Sequence, residues 1–189
     1  MKTITINAYQ YHELSDKAKE QVYQDYLASR IDYWWYDLTY EDANQFWLDI
    51  QEFDIYRNYI NIQFQGDAEK TAQAIVGGAG ASLLELAKDW QKEVNDLLES
   101  YSDYDNFMHW LKEQEYNEED YDFEDWVLYE SGYEDDKESA DADFLKQLGE
   151  YYLNALKTDY EHWTSEEHIA DLCECNDWYF DINGKIIEQ

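Results

Sequence analysis

The 45 acidic side chains of this chain face only 13 basic ones, giving a formal charge of −32 at pH 7 over 189 residues. Any compact state must hold those charges together against their own repulsion. A strongly acidic chain poor in aromatics stays unfolded, because it cannot bury enough apolar surface to offset the entropy of ordering. This chain is not poor in them: 18% of its residues are aromatic, with 19 Tyr and 8 Trp. A folded protein with an aromatic-rich core is therefore expected. A chain of this length fits one domain, expected here to span 1–189 with an acidic, aromatic-rich insert at about 101–143.

The field of such a chain repels nucleic acid and anionic membranes and attracts basic proteins and cations. Direct nucleic-acid binding and membrane binding are thus not expected. No run of 18 apolar residues is present, so no transmembrane helix is expected. The opening MKTITINAYQYHEL lacks the apolar stretch and small-residue site of a signal peptide. The two cysteines, Cys173 and Cys175, do not make a disulfide framework, and a reducing cytoplasm is the expected compartment.

The hydrophobic pattern predicts an α+β fold: a small antiparallel sheet packed against several helices. Thr3-Ile4-Thr5-Ile6-Asn7-Ala8-Tyr9 alternates as a half-buried strand does. Residues 58–65 alternate in the same way, with Ile60, Ile62 and Phe64 on one side. Asp177 to Ile187 sets two β-prone runs around Asn183-Gly184, a hairpin signal. These three pieces make the expected sheet. Helices are predicted over 16–29 after Ser15, from Thr39 along a face of Ala43, Phe46, Trp47 and Ile50, and over 67–76. Others are predicted over 83–100 behind the capping pattern Ser82-Leu83-Leu84-Glu85, over 104–114, 122–130 and 143–158, and from Thr164-Ser165-Glu166-Glu167 to about Cys175. Residues 134–141 are expected to be mobile. The dense run Ile31 to Asp37, with Trp34 and Trp35, is expected as a core plug.

No catalytic motif or cofactor site emerges, so no cofactor, metal or enzymatic activity is expected. Gly77-Gly78-Ala79-Gly80 matches neither phosphate-binding glycine pattern and has no following Lys before Lys88. His162, His168, Cys173 and Cys175 lack zinc-ligand spacing. Asp141-Ala142-Asp143 opens like a calcium loop and fails at once. A thiol nucleophile would be blunted by the acidic surroundings, which raise its pKa.

The segment 113–143 stands apart. It holds 15 acids (residues 113, 115, 118, 119, 120, 122, 124, 125, 130, 134, 135, 136, 138, 141 and 143) and one base, Lys137. Large aromatics run through it. Carboxylates set a few ångströms apart imitate phosphates, which follow one another every ~3.4 Å along a strand. The expected partner-binding residues are Glu118, Glu119, Asp120, Asp122, Glu124, Asp125, Glu134, Asp135 and Asp136, with Tyr121, Trp126 and Tyr129 as aromatic anchors. The competing readings are a solvated face that only maintains solubility and a loose divalent-cation surface.

Three stretches resemble a known family. ITINAYQYHELSDKAKEQVYQDY with DYWWYDLTYEDA, IQEFDIYRNYINIQFQGDAEKTAQAIV, and FLKQLGEYYLNALKTDYEHWTSEEHIADLCECNDWYFDINGKI are similar to small acidic proteins of phages, prophages and mobile elements, often labelled antitoxins of toxin–antitoxin stability systems. The resemblance covers most of the chain outside about 101–140 and supplies no catalytic residues. It implies a setting in the host cytoplasm and a partner that is either a basic, nucleic-acid-binding host defence protein or a cognate basic toxin. An anti-CRISPR or anti-restriction inhibitor acting as a nucleic-acid mimic is the function it favours.

Overall fold

The computed structural model describes residues 7–29, 31, 35–117 and 121–187. Among the described residues there are eight α-helices and two strands, which divide into two compact units: residues 1–39 with 154–189, and residues 40–153.

The terminal unit is built on α1 (Asp16–Ser29) and α8 (Glu166–Cys175), with the last ten residues of the long helix α7 (Tyr133–Trp163). Ser15 opens α1, its Oγ accepting from the Ala18 amide at 3.3 Å. Ala18, Val22 and Tyr26 then recur at four-residue spacing and are all buried, as one helix face must be. They pack with Tyr11, Leu14, Ile169, Cys173 and Phe180. Ser165 caps α8 by accepting from the His168 amide at 3.1 Å. Trp35 and Tyr160 meet edge to face at 5.4 Å, so this part of the expected aromatic plug does pack; Asp32, Tyr33 and Trp34 lie outside the described residues.

The central unit holds most of α2 (Asp37–Gln45), the hairpin β1 (Leu48–Asp54) and β2 (Tyr59–Phe64), then α3 (Ala68–Gly78), α4 (Ala81–Tyr101), α5 (Tyr104–Gln114), α6 (Phe123–Tyr129) and the first part of α7. Asp67 caps α3 through the Lys70 amide at 2.7 Å. Leu83, Ala87 and Trp90 line the buried face of α4. Trp90 stacks on Phe144 of α7 with ring centroids 5.4 Å apart, and its indole N–H donates to Asp141 at 2.9 Å. Gly149 of α7 lets β2 lie close: a Cβ there would stand 3.2 Å from Ile62 Cγ2 and 3.3 Å from Ile60 Cγ2.

The α+β class holds, but the sheet does not lie where the pattern places it. It has two strands, in the middle of the chain. Within the expected 58–65, Tyr59–Phe64 form a strand, and its partner is β1, in a region where a helix was expected to run on to Ile50. Helix α2 stops at Gln45; Trp47 takes a left-handed φ of 59°, and Leu48 and Ile50 face the core at strand spacing. The apolar positions 46, 47 and 50 suit a helix, and 48 and 50 suit a strand. Only the pairing with β2 decides between them. The C-terminal hairpin reduces to single antiparallel bridges, Tyr9 with Phe180 and Phe180 with Ile186. Residues 3–6 of the expected first strand lie outside the described residues.

Helix boundaries also move. Helix α4 begins at Ala81 behind Gly80, with no side-chain cap, rather than behind the Ser82 pattern. Residues 134–141, expected to be mobile, are the first turns of α7. Their acids suit a helix start, where the macrodipole is positive. Lys137 and Asp141 clasp one turn apart at 2.8 Å.

Candidate partner-binding surface

The acidic segment folds around a small aromatic core of its own. Phe107 and Leu111, one turn apart on α5, meet Trp126 and Val127 of α6; all four are buried. Phe107 touches Trp126 at 5.5 Å and Phe123 at 5.4 Å between ring centroids. Tyr101, at the end of α4, packs against this cluster and meets Tyr133 of α7 edge to face at 6.2 Å. Its hydroxyl donates to Asp136 at 2.5 Å. That bond first, then burial and the nearby Asp136 and Asp135 charges, hold the Tyr101 phenol above its ordinary pKa. The end of α4, α5, α6 and the start of α7 are thereby drawn into one neighbourhood.

The expected site residues separate into groups. Glu124 and Asp125 are exposed in the first turn of α6, and Glu134, Asp135 and Asp136 are exposed in the first turn of α7. Asp122 acts within the chain as the α6 N-cap, its Oδ1 accepting from the Glu124 amide at 2.8 Å and the Asp125 amide at 3.3 Å. Tyr129 stands out at 74% exposure, which fits an anchor. Tyr121 is 39% exposed and stacks on Tyr116 with centroids 4.6 Å apart. Trp126 is a correction. It is only 7% exposed, because α6 turns Trp126 and Val127 together onto α5, so it anchors the local core and not a partner. Glu118, Glu119 and Asp120 lie outside the described residues.

The sequence reading missed Tyr104, Met108 and Leu128. Of the 14 large hydrophobics exposed among the described residues, six lie in 104–129: Tyr104, Met108, Tyr116, Tyr121, Leu128 and Tyr129. These six side chains lie in the same stretch of chain as the exposed acids. Tyr104 and Met108 share the i, i+3, i+4, i+7 row with Phe107 and Leu111, so periodicity alone could not tell the exposed from the buried.

Cys173 is buried in the terminal unit, Cys175 is exposed, and neither is in a disulfide. His162 and His168 lie with ring centroids 5.1 Å apart. Burial, followed by the neighbouring His162, pushes the His168 pKa down. Among the described residues no group of three or more His, Cys, Asp or Glu is placed to hold a metal ion, and no helix is long and apolar enough to cross a membrane. No protein-family model, curated protein or solved structure matches this chain.

Proposed function

We propose that this chain binds, in the cytoplasm, a basic protein surface of the kind that normally holds nucleic acid, and so inhibits its owner. One observation carries the reading. The surface built by α5, α6 and the start of α7 exposes acids beside aromatics, while the one base of 113–143, Lys137, is neutralised by Asp141 at 2.8 Å. Glu124, Asp125, Glu134, Asp135 and Asp136 act as phosphate surrogates, and Tyr129 and Tyr121 supply apolar contact. The helices hold the backbone beneath these carboxylates in place, so only side-chain freedom is lost on binding. The partner class is a nucleic-acid-binding host protein, such as a defence nuclease; a basic toxin would be held by the same forces.

The test is a pair of variants with equal charge removed. One carries Glu124→Gln, Asp125→Asn, Glu134→Gln and Asp135→Asn. The other carries Glu20→Gln, Glu93→Gln, Glu161→Gln and Glu167→Gln, all at exposed positions elsewhere. Partners captured from host lysate at low salt and released at high salt are purified, and their nucleic-acid binding is measured in competition with each variant. The first variant should lose at least about tenfold in inhibition and the second much less. Equal losses would mean that only net charge matters and no surface is dedicated to a partner.

A further inference from the structure

The two edges of the hairpin are built differently. β1 carries Asp49, Glu52 and Asp54 and is broken by an irregularity between Ile50 and Glu52. Charge and a bulge are the usual means of keeping an edge strand from pairing. β2 has neither. Residues 58–65 carry no charge at all, in a chain with a net charge of −32, and the strand is regular along its length. No described strand lies beyond it.

The direction of its backbone groups follows from one bond. The Gln65 amide donates to Trp47 O at 2.8 Å, so the odd-numbered residues of β2 turn toward β1. Ile60, Ile62 and Phe64 therefore turn their N–H and C=O groups outward, and these three positions are symmetric about Ile62. Beside this edge runs a groove of about 390 Å³ between β2 and α7, lined by Ile60, Ile62, Leu145 and Gly149, with Lys146 and Glu150 as its charged residues. Lys146 and Glu150 sit one turn apart on α7, both exposed, and neither makes an ion pair among the described residues.

We propose that β2 is the contact between two copies of this chain, paired antiparallel about a two-fold axis through Ile62 to make a four-stranded sheet. A two-fold pairs Ile60 with Phe64 of the second copy and Ile62 with its own equivalent. Every outward N–H then meets a C=O. Asn61 lies opposite Gln63 on the exposed side, with no charge to oppose the pairing. The groove charges are self-complementary, because the same axis sets Lys146 of one copy against Glu150 of the other. An extended segment of another protein fits the backbone edge equally well. It has no reason to match this symmetric placement of one cation and one anion, so the second copy is the occupant favoured.

Two copies of charge −32 repel each other, so the dimer should tighten as salt is raised, opposite in sign to the partner binding proposed above. The experiment is sedimentation equilibrium on the full chain at roughly 100 μM, from about 0.02 to 0.5 M NaCl. The expected result is a shift from monomer toward twice the monomer mass as salt rises. Lys146→Glu and Glu150→Lys, each at an exposed position, should be monomeric alone and dimeric when mixed, since each supplies what the other lacks. In a Cys175→Ser background, Asn61→Cys mixed with Gln63→Cys should give an intermolecular disulfide that neither gives alone. A wild-type chain that stays monomeric at every salt concentration overturns the proposal. So do charge variants that dimerise separately as the wild type does, and so does a failure of the mixed cysteine variants to cross-link.

Discussion

At the scale of single residues, two features set the stability of the terminal unit. Gly184 has φ of 85°, and a Cβ there would stand 2.2 Å from the backbone oxygen of Ala18. Backbone cannot move aside as a side-chain end can. Gly184→Ala should therefore cost at least about 3 kcal/mol, read as a lower urea midpoint. Tyr11 supplies the second. Burial first, then the nearby side chains of Glu166, Cys173 and Glu20, push its phenol up from 10.0 to about 12. Its folded pKa lies above its unfolded one, so its contribution is complete below pH 10 and is lost as pH rises toward 12. Tyr152 is shifted upward by burial and by Asp42, whose carboxylate accepts from its hydroxyl at 3.0 Å, and adds a loss of the same sign. Denaturant titrations at pH 8 to 11 should show stability falling above about pH 10, and Tyr11→Phe should flatten that fall.

At the scale of elements, helix starts rest on chemistry inside one turn, and the sequence marks only some of them: Ser15 opens α1 as expected, whereas Thr39 lies inside α2 and α4 starts ahead of the Ser82 pattern. Ser15, Asp67, Asp122 and Ser165 each accept from an amide of the first helical turn. Helices α1, α5, α6 and α8 stand close to their expected spans. The same chemistry qualifies the functional reading of Asp122. Asp122→Ala should destabilise α6 by about 1 kcal/mol, so any loss of partner binding it causes comes through the helix. Circular dichroism with thermal melting checks this, and Asp122→Asn or Asp122→Ser should restore the melt because both side chains cap. Signals that depend on distant partners were not legible. β1 reads as helix until β2 is beside it, and the start of α7 reads as mobile until Trp90 bonds to Asp141 and Lys137 closes on the same carboxylate.

At the scale of the whole molecule, the acidic excess governs behaviour in solution. The ion pairs of Arg57 with Asp54, Lys92 with Asp96 and Lys137 with Asp141 each join residues three or four apart. Such pairs cannot offset an excess of 32 negative charges. Raising NaCl from about 0.02 to 0.3 M should therefore raise the melting temperature by several degrees, as screening shortens the reach of the repulsion to about 10 Å or less. An unchanged or falling melting temperature would mean that the charges are not in tension in the folded state. The sequence by itself determined the sign of that field, and with it the classes of partner repelled and attracted. It also determined the helices whose caps and apolar period lie within a few residues of each other. Tertiary structure alone decided which aromatics of the acidic segment are inside, such as Trp126, and which are outside, such as Tyr129. It also decided that the sheet seen among the described residues lies mid-chain with an uncharged edge. Charge and period are local sums over the chain, whereas burial and strand pairing depend on which distant residues come to lie alongside.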